Sequence, residues 1–152
     1  MIDIDNFTNN LNRKINIYKD TLLFLCIGSN DIIWDSIGPL VGTNLQKRLG
    51  SKLVLGDEKN NIISYRDLIR NYTKIKGRYI IAIDAAISTK EMAGEIFISD
   101  KPLIMGLGVN NIKGIVGNMS IKVAMCNSDK ITKEYVNNLA RFIAIGITRA
   151  VS

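Results

Sequence analysis

The chain has 152 residues, carries 20 lysines and arginines against 14 aspartates and glutamates, and is 47% hydrophobic. That is the composition of an ordinary single globular domain, long enough to bury a core without disulfide or metal staples. It contains no histidine, which excludes a Ser-His-Asp triad, a Cys-His pair and histidine-ligated zinc.

Residues 3–19 place Ile4, Phe7, Leu11, Ile15 and Tyr18 at helical spacing, so a helix is expected there. "TLLFLCIG" (21–28) is a continuous apolar run and reads as a strand covered on both faces. "GPLVGTNLQKRLG" (38–50) predicts a helix with Pro39 in its first turn and Gly50 at its stop. A short strand, "KLVLGD" (52–57), comes next, and then a helix over 64–75 with Ser64 as its N-cap. "RYIIAIDAA" (78–86), "GEIFIS" (94–99) and "SIKVAMC" (120–126) predict three more strands, with 99–119 a long glycine-rich loop. The last helix, 130–151, sets Ile131, Tyr135, Leu139, Phe142 and Ile143 on one stripe.

Strands alternating with helices predict a three-layer α/β sandwich, with a mostly parallel central sheet and helices on both faces. The tight spacing of 78–99 implies that one strand runs antiparallel at an edge. We read residues 1–152 as one domain, with an α/β core over 21–152. Residues 1–20 form a packed N-terminal helix, a removable pro-segment being the alternative.

The net charge of +6 is scattered without a basic run. A solvated basic surface is therefore favoured over a nucleic-acid partner. The N-terminus is polar and acidic, and no apolar run approaches the ~20 residues of a membrane span. Cys26 and Cys126 read as small buried hydrophobes in a reducing cytoplasm. Neither a cofactor nor a metal is called for, and self-association is left open.

In open α/β sheets, sites form beyond the carboxyl ends of the strands. Asp35 lies in the loop after the first strand and Asp84 near the carboxyl end of "YIIAID". If those strands are neighbours, both carboxylates meet in one crevice. One then keeps a proton while the other acts as base, a chemistry that hydrolyses peptides without histidine. A plainer role for Asp35 is to cap the helix that begins near Pro39. Asp84, on a buried strand, needs a partner or a function. Asp31 is read as solvated, and Trp34 either lines a groove or packs beneath its own loop. Two carboxylates are few ligands for a hard cation.

Around these aspartates, Gly28, Asn30 and Gly38 are candidates to line a substrate crevice. Gly106, Gly108 and Asn110 of "GLGVNN" are further candidates, with backbone amides for an extended peptide or an oxyanion. The same glycines also suit an ordinary surface loop. "GLGVNN" lacks the third glycine of a dinucleotide loop, and "GSNDIIWD" lacks the ending of a Walker loop.

"CIGSNDIIWDSIGPLVG", "IAIDAA" and "GEIFISDKPLIMGLGVN" resemble, in order and spacing, the YyaC-type sporulation proteins, relatives of the spore germination protease. The resemblance covers about residues 20 to 150. It implies a hydrogenase-maturation-protease-like α/β fold of the phosphorylase/hydrolase-like kind, and an endopeptidase site whose two aspartates fall on Asp35 and Asp84. It also implies a small spore protein or peptide as substrate and a place in the forespore or spore interior. Hydrogenase-maturation peptidases add a histidine and bind nickel, and this chain has no histidine. The alternative is a non-enzymatic sporulation protein that binds a peptide in the same crevice.

Overall fold

A computed structural model describes residues 3–105 and 114–152. Gly106, Gly108 and Asn110 therefore lie outside the described residues. α1 (Ile4–Ile15) begins at Asp3, whose side chain accepts the Asp5 N–H at 3.0 Å, the expected use of an aspartate before a helix. Its buried residues, Phe7, Leu11 and Ile15, recur at helical spacing.

The central sheet has the order β2-β1-β3-β7-β4, from strands β1 (Leu22–Cys26), β2 (Val54–Leu55), β3 (Tyr79–Ile87), β4 (Ile96–Ser99) and β7 (Met119–Met125). β2, β1, β3 and β7 are parallel; β4 runs antiparallel to β7 at the edge, as the short 78–99 spacing implied. β5 (Leu103–Met105) and β6 (Gly114–Val116) form a separate antiparallel ladder, within a stretch expected to be loop. The mostly parallel α/β sandwich read from the sequence is the fold observed.

The two faces of the sheet are covered unequally. α1, α2 (Ile37–Leu49) and α4 (Lys133–Val151) share one face, where Phe24, Ile81, Ile83, Ile121 and Val123 meet Leu11, Val41, Leu45, Ile143 and Ile147. The opposite face holds Leu23, Leu25, Ile27, Ile80 and Ala82 beneath Ile63, Leu68, Ile75, Leu103 and Val116. Among the described residues, the helices there are short, α3 (Tyr72–Ile75) and a 3-10 turn at Tyr65–Asp67, and the β5–β6 ladder adds Leu103 and Val116. The helix expected over 64–75 is thus broken. Asp67 folds back to accept the Ser64 N–H and hydroxyl, both at 2.8 Å, so Ser64 donates where an N-cap would accept.

The expected stripe of the last helix holds in part, Ile131 and Ile143 being buried. Val136, Ala140, Ile143, Ala144, Ile147 and Ala150 are buried, whereas Tyr135 is exposed and Leu139 and Phe142 are half-buried. Small residues face inward because α4 lies close between its neighbours; a Cβ on Gly146 would come within 2.5 Å of the Phe7 ring. Cys26 and Cys126 are both buried and both free.

Candidate active site

β1 is buried over its whole length, as its unbroken apolar run requires. Its last register pair with β3 is Cys26 with Ile83, after which the Ile27 N–H donates to the Ile83 carbonyl at 2.9 Å. Asp84 is therefore the first β3 residue past the end of the β1 ladder. On its other side β3 stays paired with β7 out to Ile87 and Met125. Asp84 does not close its strand, as expected from the sequence, but sits where one neighbour leaves it. Strand order reverses at this point, β2 lying on one side of β1 and β3 on the other. Such a switch point opens a crevice in α/β sheets. By strand alternation Asp84 shares the side of Ile80 and Ala82, the thinly covered face.

Asp35 comes to the same place through the loop that leaves β1. It lies in a 3-10 turn, Ile33–Ser36, that leads directly into α2 and packs against β3. Its backbone organises the turn: the Asp35 N–H donates to the Ile32 carbonyl at 3.1 Å, and the Asp35 carbonyl accepts the Ser29 N–H at 3.2 Å. The capping role is not what the side chain does. Ser36 is the N-cap of α2 and no side chain caps it; the Ser36 hydroxyl donates instead to the Ile33 carbonyl at 2.6 Å. Among the described residues, no hydrogen bond holds the Asp35 carboxylate.

Two glycines make this approach sterically feasible. A Cβ on Gly38 would lie 2.0 Å from the Ile27 carbonyl oxygen, so α2 starts in backbone contact with the end of β1. A Cβ on Gly28 would lie 2.4 Å from the Asp35 carbonyl oxygen and 2.6 Å from Pro39 Cδ. The spacing in "G-S-N-D-I-I-W-D-S-I-G-P" is thus a packing device that delivers Asp35 to the sheet.

The two carboxyl groups sense each other. Burial, and then the negative charge of Asp35, push Asp84 up from 3.8 to about 8, with the Ala85 N–H at 2.8 Å a smaller opposing influence. Burial also raises Asp35 above the ordinary carboxylate value. Like charges in one desolvated crevice do not ionise together. Near neutral pH the pair therefore keeps a proton, held at Asp84, whose value of about 8 lies above that pH. Such a pair can activate a water with one member and polarise a carbonyl with the other.

The surrounding candidates separate. Asn30 is exposed and its side-chain amide donates to the Glu58 carbonyl. It lines a cavity of about 400 Å³ with Ile33, Ser36, Leu40, Glu58 and Lys133, on the α2 side of Asp35. Asp31 is exposed, and Trp34 packs half-buried against the main core beneath its loop.

Two residues that the sequence did not single out also matter. Lys122 of β7 is the register partner of Asp84. Asp57 is buried, and its Oδ1 accepts the N–H groups of Lys59 (3.0 Å), Asn60 (2.7 Å) and Asn61 (3.3 Å). Burial works to raise Asp57, but these amides and the Gln46 side chain hold it below its ordinary value. Asp57 thus shapes the loop after β2; the signal was an aspartate at a strand end with asparagines three and four residues on, a turn-forming composition.

The donor set does not suit nickel, which favours imidazole and thiolate. The chain has no histidine, and among the described residues no three His, Cys, Asp or Glu side chains cluster to hold a metal.

A family model described as a protein of unknown function, DUF1256, matches residues 2–148, a span that includes both aspartates. The chain belongs to the DUF1256 family. The uncharacterized protein YyaC of Bacillus subtilis (strain 168) is 33% identical over 104 residues, covering 66% of this chain and 51% of YyaC. The chain thus spans about half the length of this curated relative, and the YyaC-type resemblance read from the motifs is borne out. Among solved structures, the NiFe hydrogenase maturation protease HycI from Thermococcus kodakarensis KOD1 matches with a TM-score of 0.53 at 18% identity, over 86% of this chain and 98% of that one. The two proteins share a fold. HybD, a NiFe hydrogenase maturation protease from Thermococcus kodakarensis, stands further off, with a TM-score of 0.48 and 16% identity over 84% and 98% of the two chains. Among the described residues, no helix is long and apolar enough to cross a membrane.

Proposed function

We propose that this DUF1256 chain is an aspartate-dependent endopeptidase acting on small spore proteins in the forespore or spore interior. What supports the reading is the 3-10 turn bearing Asp35 packed on β3 at the switch point of the sheet, beside Asp84, whose carboxyl the Asp35 charge helps to raise. Asp35, ionised and without a capping duty, takes a proton from a water. Asp84 donates its proton to the scissile carbonyl, whose oxygen would otherwise develop an uncompensated charge. The hydroxide so formed attacks the carbonyl carbon; collapse of the tetrahedral intermediate then breaks the C–N bond, the amine leaves with the proton held at Asp35, and the new carboxyl group returns a proton to Asp84. Gly28 and Gly38 serve this crevice by letting the turn pack against β1, and Asn30, on the exposed rim, is the described residue placed to meet an extended peptide; Gly106, Gly108 and Asn110 are proposed as further contacts from the sequence alone. The spore setting rests on the family resemblance. Purified protein incubated with a small spore protein, followed by mass spectrometry, is expected to yield discrete fragments. Asp35→Asn and Asp84→Asn are each expected to remove that cleavage while retaining the circular dichroism of the parent; cleavage that survives in both variants overturns the reading.

A second reading has its own observation. The cavity of about 400 Å³ beside Asp35 is lined by Asn30, Ile33, Ser36, Leu40, Glu58 and Lys133, and by neither aspartate. A peptide seated there would be held without being cut. Saturable peptide binding with no turnover at any pH supports this alternative, and Leu40→Arg should then weaken it.

A further inference from the structure

Among the described residues, β4 is an outer strand of the sheet, with hydrogen bonds to β7 on one side and none on the other. Its sequence, Ile-Phe-Ile-Ser, holds none of the lysines or prolines that usually blunt an open edge. The Ala124 N–H donates to the Glu95 carbonyl at 2.8 Å, and Glu95 stands opposite Ala124 in the β4–β7 register. Bonded and non-bonded pairs alternate along an antiparallel ladder. Phe97 therefore bonds inward to β7, while the backbone groups of Ile96 and Ile98 point outward. Beside this edge lies a cavity of about 440 Å³, walled by Ile96 and Ala93 and by a second α4 stripe of Tyr135, Leu139 and Phe142. Phe97 and Tyr135 remain 42% and 36% exposed.

The charges along this edge are polarised. Glu91 and Glu95 rim the cavity at the start of β4, against the single Lys90. At the far end Lys101 stands exposed beside a Lys14–Asp100 pair that neutralises itself at 2.9 Å. Among the described residues, no ion pair engages Glu91, Glu95 or Lys101.

We propose that the open edge of β4 pairs with the β4 of a second copy of this chain, in a two-fold dimer with one continuous ten-stranded sheet. Antiparallel pairing about Phe97 sets Ile96 of each copy against Ile98 of the other, so that the outward backbone groups satisfy one another. Phe97 then meets its own counterpart across a non-bonded pair, where side chains approach most closely, with Cα atoms about 4.5 Å apart. Because the two strands run oppositely, the Glu91 and Glu95 end of one copy faces the Lys101 end of the other. The same operation puts the α4 layers on one side and closes both cavities, adding apolar area that a four-residue strand cannot supply by itself; a stable interface needs about 1,200 Å². This contact is isologous and closes on itself, so it ends at the dimer.

Sedimentation equilibrium on the full chain tests this directly. The parent protein is expected to be a concentration-dependent dimer. Glu95→Lys and Lys101→Glu, both exposed positions, should each weaken it by about tenfold or more, with circular dichroism unchanged. The double variant Glu95→Lys/Lys101→Glu should regain the parent affinity within a few fold, since it restores opposite charges with their places exchanged. A monomer at every concentration, a dimer indifferent to both single reversals, or a double variant no tighter than either single one overturns the proposal. Binding of a lysine-bearing extended peptide to a monomeric parent protein, lost in Glu95→Lys, would do so too, by giving the edge a different occupant.

Discussion

Replacing Asp84 by Asn is expected to stabilise the protein, by an amount that grows with pH. Asp84 is half-buried, and burial followed by the charge of Asp35 pushes its carboxyl from 3.8 up to about 8. Between those pH values the folded chain keeps a proton on Asp84 that the unfolded chain has released. The folded state then binds more protons, so stability falls as pH rises across the window. A shift from 3.8 to about 8, at about 1.36 kcal/mol per pKa unit, sets a ceiling of about 6 kcal/mol above pH 8. Partial solvent access screens the charge and brings the realistic gain to about 1–3 kcal/mol. Asn keeps the acceptor that the Ala85 N–H uses and carries no charge to desolvate. Urea unfolding of both proteins should show nearly coincident stabilities near pH 4 and a gap that opens up to about pH 8 and then levels off, at unchanged m-value. A variant that is equally stable at every pH, or that loses stability at alkaline pH, refutes the reasoning. Since the same substitution is expected to abolish cleavage, it would display a functional group held at the expense of the fold.

Other expectations follow from the packing around the site. Gly38→Ala puts a methyl 2.0 Å from the Ile27 carbonyl oxygen and should lower stability by about 2–4 kcal/mol, read by thermal unfolding; an unchanged Tm would mean that α2 can slide off β1. Deleting residues 1–20 uncovers the partners of Phe7, Leu11 and Ile15, each worth about 1.5–3 kcal/mol of burial, a total comparable with the stability of a whole domain. Loss of cooperative unfolding is expected, and a truncated chain that still unfolds cooperatively would favour a removable pro-segment. Asp57→Ala leaves three loop N–H groups without their acceptor and should cost about 2–4 kcal/mol near neutral pH. Because the folded carboxyl titrates below 3.8, that contribution is present above this value and disappears as pH falls through the depressed one. Cleavage should rise as Asp35 ionises and fall as Asp84 loses its proton near pH 8; a flat profile across that range argues against Asp84 as the acid.

Much of the sheet was legible because its strands are buried on both faces and read as unbroken apolar runs: "LLFLC" and "YIIAI" could hardly be anything else. Where local hydrogen bonding competes with helix formation, pattern reading failed. Asp67 captures Ser64 and breaks the expected 64–75 helix; nothing in the apolar spacing announces that. Of the stripe on the last helix, Ile131 and Ile143 were read correctly, while the rest was missed because Ala140, Ala144 and Gly146 are buried for close packing, a need that hydrophobicity alone does not register. Asp35 and Asp84 were picked out by their positions after strands, but their meeting depends on β1 and β3 being neighbours at a reversal of strand order, which no single segment encodes. The glycines near Asp35 were noticed as a crevice lining, while their steric role at Ile27 and Pro39 emerges only when the helix is set against the strand. Asp57 was overlooked because its partners are backbone amides, which every residue but proline carries.

The central claim is that Asp35 and Asp84 share one crevice and one proton. Carbon-13 NMR titration of the Asp84 carboxyl, in the parent protein and in Asp35→Asn, tests it most directly. Asp84 is expected to titrate near 8 in the parent and to move clearly downward once the charge at position 35 is removed. An Asp84 that titrates at the ordinary carboxylate value, or whose high value is indifferent to Asp35→Asn, would show two separate carboxylates and contradict the claim.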